Sequence, residues 1–465
     1  MKQPAATVLL SLAAAVPAHA ALVVSSGATS NVSCVSGTCT ATAADAVLNA
    51  GSLKHMLAAG DVTLQSGAGA MDIDIGGAFG WSAPSRLTLD AWRSITFNRA
   101  VTVRGAGGVT LITSDGGSGG DYGFAARGAL TFDNPASSLI VNGQSFTLID
   151  DIATLASADL AGSYALAKDY DASADGLYPA APVPVFDGNF DGLGHAITNL
   201  SIRAHAQDAV IGLFGLAESG SIRDLRLVNA KIGEHGPGHY SIVGGLVGWN
   251  TGTVLRSSVT GTIQGTASAI AGGLIGRNDG TISLCRASAA ASGGLSGGLV
   301  GESFGTISQS WAAGSVSGVD AGGLVGGYFG VAVQQSYATA SVTGTTALNY
   351  AVGGLIGLYG NGHGPPITQI YSIGAVGAPG EYIGGLIGQD TSLGSNISAA
   401  YWDLDTSGVS NPSQGAGSPA NDPGITGLTT TQFQSGLPSG FDPSVWGQSP
   451  GINNGYPYLL ANPPQ

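Results

Sequence analysis

Charge is scarce in this sequence. Only 9% of the 465 residues are Asp, Glu, Lys or Arg, against roughly a quarter in ordinary soluble domains. Disordered chains are usually charge-rich and apolar-poor. Here 43% of residues are hydrophobic, so a packed core is expected. Positive charge is scarcer still. Lys and Arg number 15 against 29 Asp and Glu, and the net charge of −14 repels phosphate and argues against a nucleic-acid partner. Beyond the N-terminus no uninterrupted apolar run reaches about 18 residues, so no transmembrane span is expected in the mature chain. His-Glu-x-x-His is missing, which removes the commonest zinc-peptidase pattern.

What the N-terminus has is an address. Lys2 supplies a positive start, Ala5 to Val16 form a short, mostly apolar stretch, and Pro17 breaks it before Ala18-His19-Ala20, an A-x-A cleavage site. The expected mature chain begins at Ala21 and is exported, to the extracellular space or the cell surface. Cysteine numbers three. Cys34 and Cys39 flank a turn-forming Gly, and an oxidising compartment makes a local disulfide the expected state. Cys285 has no obvious partner and reads as a small apolar core residue.

Glycine is abundant, at 77 residues. Much of it falls in a pentapeptide, Gly-Gly-Leu-[Val/Ile]-Gly, beginning at Gly244, Gly272, Gly297, Gly322, Gly353 and Gly384, with a degenerate copy at Ile211–Gly215. Regular recurrence of this kind is the mark of a repeat architecture. A second register follows each copy: Val254, Ile282, Ile307, Val333, Ile367 and Ile397, then three residues on Ser257, Cys285, Ser310, Ser336, Ile370 and Ala400. Alternation with the strand period continues from there, as in Ser310, Ala312, Gly314 and Val316. One repeat cannot bury a core alone, but copies stacked in register at about 4.8 Å can. The expected fold is all-β: a right-handed parallel β-helix, or β-solenoid, with Leu246, Leu274, Leu299, Leu324, Leu355 and Leu386 running down its interior and Gly at corners of positive φ. Irregular alternating segments before residue 149 read as further coils.

The repeats resemble the GLUG motif of large bacterial surface proteins, many of them filamentous-haemagglutinin-like adhesins. Phe186-Asp-Gly-Asn-Phe-Asp-Gly-Leu-Gly-His-Ala-Ile-Thr-Asn-Leu-Ser-Ile202 resembles the lead-in to such repeats, and Tyr401-Trp-Asp-Leu-Asp-Thr-Ser-Gly408, with Gly427–Gln432 and Gly455–Leu459, resembles their closing segment. The resemblance implies an exported β-helix with adhesive or surface roles and transfers no catalytic residue. The chain departs from large adhesins in lacking Asn-Pro-Asn-Gly and Asn-Pro-Asn-Leu. The expected organisation is a signal peptide (1–20), irregular coils (21–148), a connector and lead-in (149–203), the repeat solenoid (204–402) and a C-terminal cap or tail (403–465) lying on the end of the solenoid.

Chemistry has little footing in the sequence. Gly-x-Ser-x-Gly occurs at Gly116, Gly294, Gly301 and Gly447, as expected by chance in a Gly- and Ser-rich chain, and none precedes a convincing helix. His235 and His239 are the best transition-metal candidates, but the Gly-Pro-Gly between them favours a solvated loop. Carboxylates are dispersed; Asp72 and Asp74 would share one strand face, which a solvated outer face explains as well, and the pairs Asp187 with Asp191 and Asp403 with Asp405 lie in the segments that resemble the family's structural ones. No catalytic residue, metal or cofactor is expected. One row is suited to binding. Immediately after the small inward residues stand Ser258, Arg286, Trp311, Tyr337, Tyr371 and Tyr401. The rings stack inside, merely shield the sheet face, or face solvent as a ladder able to dock sugar rings or a partner; Arg286, Thr260, Ser288 and Thr339 favour the outward phase. The expectation is an adhesive or scaffolding protein that meets a host or neighbouring-cell surface, with a glycan as one such ligand. The alternative is a carbohydrate-active β-helix enzyme, a polysaccharide lyase or hydrolase.

Overall fold

The structure, a computed structural model, describes residues 20–234, 240–345, 350–360, 366–377, 381–392 and 396–464. The residues carrying the signal-peptide pattern before Ala20, and His235 and His239, lie outside the described residues. The chain is an all-β parallel solenoid of about 14 turns. Its core falls into two parts, one built from residues 22–193 and one from residues 149–416.

In the first part, three walls of short parallel strands enclose the core. One wall stacks Asp45–Asn49, Ala21–Ser25, Asp72–Ile75, Ile95–Phe97 and Tyr122–Phe124. Another stacks Val62–Gln65, Arg86–Asp90, Gly108–Ile112 and Ser138–Val141. Alternation decides which side chains enter: Leu64, Leu89 and Leu111 fall in one register column and are fully buried. A helix at Ala50–Ala59, begun by the Asn49 side chain accepting from the Ser52 backbone N–H, lays Leu53 and Leu57 onto this core.

The hairpin between Ser138–Val141 and Gln144–Ile149 is antiparallel, so the second part runs in the opposite strand direction. The segment expected to be a connector is instead the start of this second stack: Ser163–Leu166 pairs with Asn189–Asp191, which pairs with Ser221–Arg223 and so on down the repeats. The helix at Ile152–Ala156, capped by Asp151, closes its end with Ile152 and Leu155.

Each repeat contributes to three walls, and the pentapeptide is the corner between two of them. Gly244 ends a strand of a seven-stranded sheet and Val247 opens one of a nine-stranded sheet. The Leu at the centre of every copy is fully buried, from Leu246 to Leu386. The glycines do not serve positive φ, as the sequence suggested; they serve close approach. A Cβ on Gly298 would lie 2.1 Å from the Gly323 carbonyl oxygen of the next coil and 2.9 Å from the Ala312 Cβ of the facing wall. The left-handed corners belong to other residues: Asp224, Arg256, Leu284, Gln309, Gln335, Gln369 and Ala399 all have φ between 45° and 56°. Gly314, expected inward, takes φ +100° and is exposed, while Ser310, Ala312 and Val316 around it are buried.

The C-terminal segment is not a lid on the end of the stack. Ala416–Ser418 and Ile425–Leu428 add one more coil. The chain then folds back along the outside of the solenoid, past a helix at Thr430–Gln434 with a complete Thr429/Gln432 capping box, and reaches as far as Cys285 through Asn462.

Candidate functional site

The expected binding row exists as a register column. Arg226 pairs with Ser258, Ser258 with Arg286, Arg286 with Trp311, Trp311 with Tyr337, Tyr337 with Tyr371 and Tyr371 with Tyr401. The small residues before them, Ser257, Cys285, Ser310, Ser336, Ile370 and Ala400, are buried in the solenoid. The rings therefore leave the other face of the wall. They stack: Trp311 and Tyr337 centroids are 5.8 Å apart at 16°, Tyr337 and Tyr371 4.9 Å apart at 3°.

The expectation that Trp311, Tyr337, Tyr371 and Tyr401 face solvent is overturned. The returning C-terminal segment covers them with Phe433, Phe441, Trp446, Tyr456 and Leu459, forming a separate core outside the solenoid. Tyr337 and Tyr371 are completely buried. The reason is the hydrophobic effect: large aromatic area on one strip is removed from water when a matching strip is available. Two of the polar ends find partners, with Tyr371 Oη donating to Pro457 O at 2.5 Å and Tyr401 Oη to Ser439 O at 2.7 Å, while Tyr337 Oη and Trp446 Nε1 are buried with no partner among the described residues.

The strap leaves the ladder at its top. Asn462 accepts from Trp311 Nε1 through its carbonyl, and its side chain donates to Cys285 O (3.0 Å) and Gln309 O (3.1 Å). Beyond it the same column continues as Arg286, Ser258 and Arg226, and there it opens into a cleft of about 680 Å³. One wall is the solenoid, supplying Arg226, Arg286 and the corner residues Asp224, Arg256 and Leu284. The facing wall is Phe124 to Arg127 of the first part, and the end of the strap, Leu460 to Pro464, closes one side. Four of the chain's few cationic residues thus line one cavity: Arg127, Arg226, Arg256 and Arg286. Arg286, half-buried, is the one member of the expected row that still reaches this open space.

The arginines differ in how fully they are used. Arg256 and its neighbour Arg223 are structural. Both grip Asp224, at 2.8 Å each, and both reach Asp121 and the Tyr122 carbonyl of the first part. Arg223 also lies over the Tyr122 ring, 3.9 Å from its centroid. This network clamps the two parts together. Inside it Tyr122 Oη donates to Asp191 Oδ2 at 2.5 Å; burial, and then Asp191, hold the phenol well above its ordinary pKa, so it keeps its proton. Burial raises the Asp191 and Asp224 carboxyls too, with Arg223 as the opposing charge.

Arg226, Arg286 and Arg127 are less committed. Arg226 donates to Gly194 O at 3.1 Å, and Arg286 to Asn462 Oδ1 at 3.3 Å. Among the described residues none of the three has a carboxylate within 4.0 Å. Burial first, then Arg226, pulls the Arg286 guanidinium below its ordinary pKa. Of the four, the aromatic row in the sequence points to Arg286 and not to Arg226, Arg256 or Arg127. Arg226 was reachable by carrying the repeat register one degenerate coil further back. Arg127 was not, because it arrives from the other part of the chain.

The remaining candidates have structural positions. Cys34 and Cys39 are joined in a disulfide across the paired strands Val32–Val35 and Thr38–Ala41. Cys285 is a buried free thiol, pushed up to about 12 by burial. Ser296 and Ser303, in two of the Gly-x-Ser-x-Gly matches, are fully buried on strands. Asp72 holds Arg93 and the Ser94 N–H, Asp187 holds Ser219, and Asp403 accepts from Asp405 N and Tyr456 Oη.

A family model described as the GLUG motif matches residues 239–264. Halomucin from Haloquadratum walsbyi is 37% identical over 127 aligned residues, covering 24% of this chain; the chain spans about 1% of that relative's length. A Bacteroides ovatus protein of known crystal structure, provisionally named an immunoglobulin A1 protease, superposes with a TM-score of 0.43 at 18% identity, over 68% of this chain and 93% of its own.

Proposed function

We propose that this chain is an exported surface or secreted β-solenoid protein with an adhesive or scaffolding role, acting as a binder rather than a catalyst. The observation that carries the reading is the arginine-lined cleft. In a chain of net charge −14, four guanidiniums gather around one open cleft; Arg256 is paired with Asp224, the other three have no carboxylate within 4.0 Å among the described residues, and two of these three lie on the same ladder that elsewhere is sealed by the strap. Concentrated positive charge at a concave site attracts anionic groups and raises their local concentration. The parallel ladder that holds the cleft is paired above and below each coil, which makes a stiff support for it. The GLUG match and the likeness to halomucin support a place outside the cell, as does the signal-peptide pattern before Ala21. The partner is then the surface of a host or neighbouring cell. The test is a cell-binding and glycan-array measurement on purified protein beginning at Ala21. Saturable binding is expected, and absence of binding to every surface and glycan tried would remove the adhesive role.

A further inference from the structure

We infer that the cleft is a binding site for an acidic polysaccharide, whose sugar oxyanions, carboxylate or sulfate, are held by Arg127, Arg226 and Arg286; this rests on the adhesive reading above and names its ligand.

Three features of the cleft point to this ligand. The first is charge placement. Arg226 and Arg286 stand two coils apart in one column, which sets their backbones about 10 Å apart, and Arg127 faces them from the other wall. Anchors spaced in this way fit a chain with intermittent charges better than a single small anion. The second is donor supply. A guanidinium carries five N–H donors in a planar fork suited to an oxyanion. Arg226 and Arg286 use theirs here on neutral carbonyl and amide oxygens, and their mutual repulsion inside the cleft is relieved when an anion sits between them. The third is the rest of the lining. Phe124, Leu284, Leu460 and Pro463 supply apolar surface for the C–H faces of sugar rings, and about 680 Å³ lies within the range of ligand clefts.

A peptide fits less well. The strands bearing Arg226 and Arg286 are paired on both sides, so the cleft offers no free ladder edge to an extended backbone. The net charge of −14 disfavours polyanions on the molecule as a whole, and the cleft gathers arginine against that background.

The probes are polygalacturonate, dextran sulfate, neutral dextran, poly-glutamate and inorganic sulfate, titrated by calorimetry into the Ala21–Gln465 protein. Binding of polygalacturonate or dextran sulfate, weakened by salt, is expected, with neutral dextran inert; which of the two binds identifies the oxyanion. Arg226→Gln with Arg286→Gln should weaken it by about tenfold or more, the loss of at least one charge-assisted hydrogen bond. Arg127→Ser, at an exposed position, should weaken it in the same direction without touching the fold. Equal binding of poly-glutamate, binding of inorganic sulfate alone, no polysaccharide binding, or binding indifferent to both variants overturns the inference. The wider reading fails separately: if the protein adheres to cells and both arginine variants adhere equally well, the adhesive role stands and this site is not its seat.

Discussion

The indole nitrogen of Trp311 donates a hydrogen bond to the carbonyl oxygen of Asn462, 3.0 Å away and 151 residues further along the chain. That bond marks a boundary. On one side of it the outward column is aromatic and covered by the C-terminal strap. On the other side the same column is arginine and open. Strand register and the path of the strap together decide which part of the ladder meets solvent.

The strap is expected to be structural. Tyr337→Ala combined with Tyr371→Ala removes two fully buried rings that stack on each other and meet the Trp446 ring at a tilt of 54°. A single large aromatic truncation in a core costs about 3–5 kcal/mol, and two touching rings do not add simply. Urea titration should show the midpoint of the double variant lowered well below wild type. An unchanged midpoint would mean that the strap does not dock on the ladder.

Leu324→Ala tests the solenoid interior independently of the strap. Leu324 is fully buried in the pentapeptide corner, and its backbone pairs with Leu299 and Leu355. The expected loss is about 2–5 kcal/mol, as burial is lost and a cavity is left. A loss below about 1 kcal/mol, typical of surface sites, would place this column outside the core.

Close approach, and not backbone conformation, should make the pentapeptide glycines intolerant. Gly298→Ala drives a methyl group against the backbone of Gly323 and the side chain of Ala312, and overpacking of this kind costs about 1–3 kcal/mol or more. Gly436→Ala, where a Cβ meets nothing within 4 Å, is the matched control and should be near neutral. Equal thermal midpoints for the two variants would contradict the packing described for the corner.

Acid should loosen the seam between the two parts. Asp169 accepts from His195 and from Ala196 N, while His195 Nε2 lies 3.0 Å from the Leu130 carbonyl of the first part. The hydrogen bond to His195, then that to Ala196, hold the Asp169 carboxyl at about 2. A carboxyl depressed in the folded state adds stability above its ordinary pKa of about 3.9 and loses it as pH falls toward 2. Asp169 is largely exposed, so the effect should be small. Stability of Asp169→Asn should run parallel to wild type above pH 5 and converge with it below pH 3. A constant gap across that window would refute the linkage.

Cys285 should resist thiol reagents in the native protein. Its thiol is fully buried, pushed up to about 12, and donates to the carbonyls of Ser283 and Val254, so thiolate is scarce near neutral pH. Mass spectrometry after iodoacetamide treatment should find it unmodified in buffer and alkylated in denaturant. Rapid native labelling would show that its coil opens.

Much of this architecture is legible in the residues. The pentapeptide spacing, the buried Leu column and the inward small residues all follow from two local rules: alternation along a strand, and stacking of equivalent residues in successive coils. The same rules sent Trp311, Tyr337, Tyr371 and Tyr401 to the outer face of the wall, and that is where they stand. What lies over that face was beyond them. The strap has no period to read, and its aromatics Phe433, Phe441, Trp446 and Tyr456 find the ladder only because the last coil turns the chain back along it. The cleft is decided in the same way. Arg226 and Arg286 belong to one local register, but Arg127 reaches them from far earlier in the chain, and Leu460 to Pro464 from its end. Periodicity places residues within a coil and between neighbouring coils. Which distant surfaces then cover one another depends on the shape and apolar area of whole elements, and those exist only once the solenoid has formed.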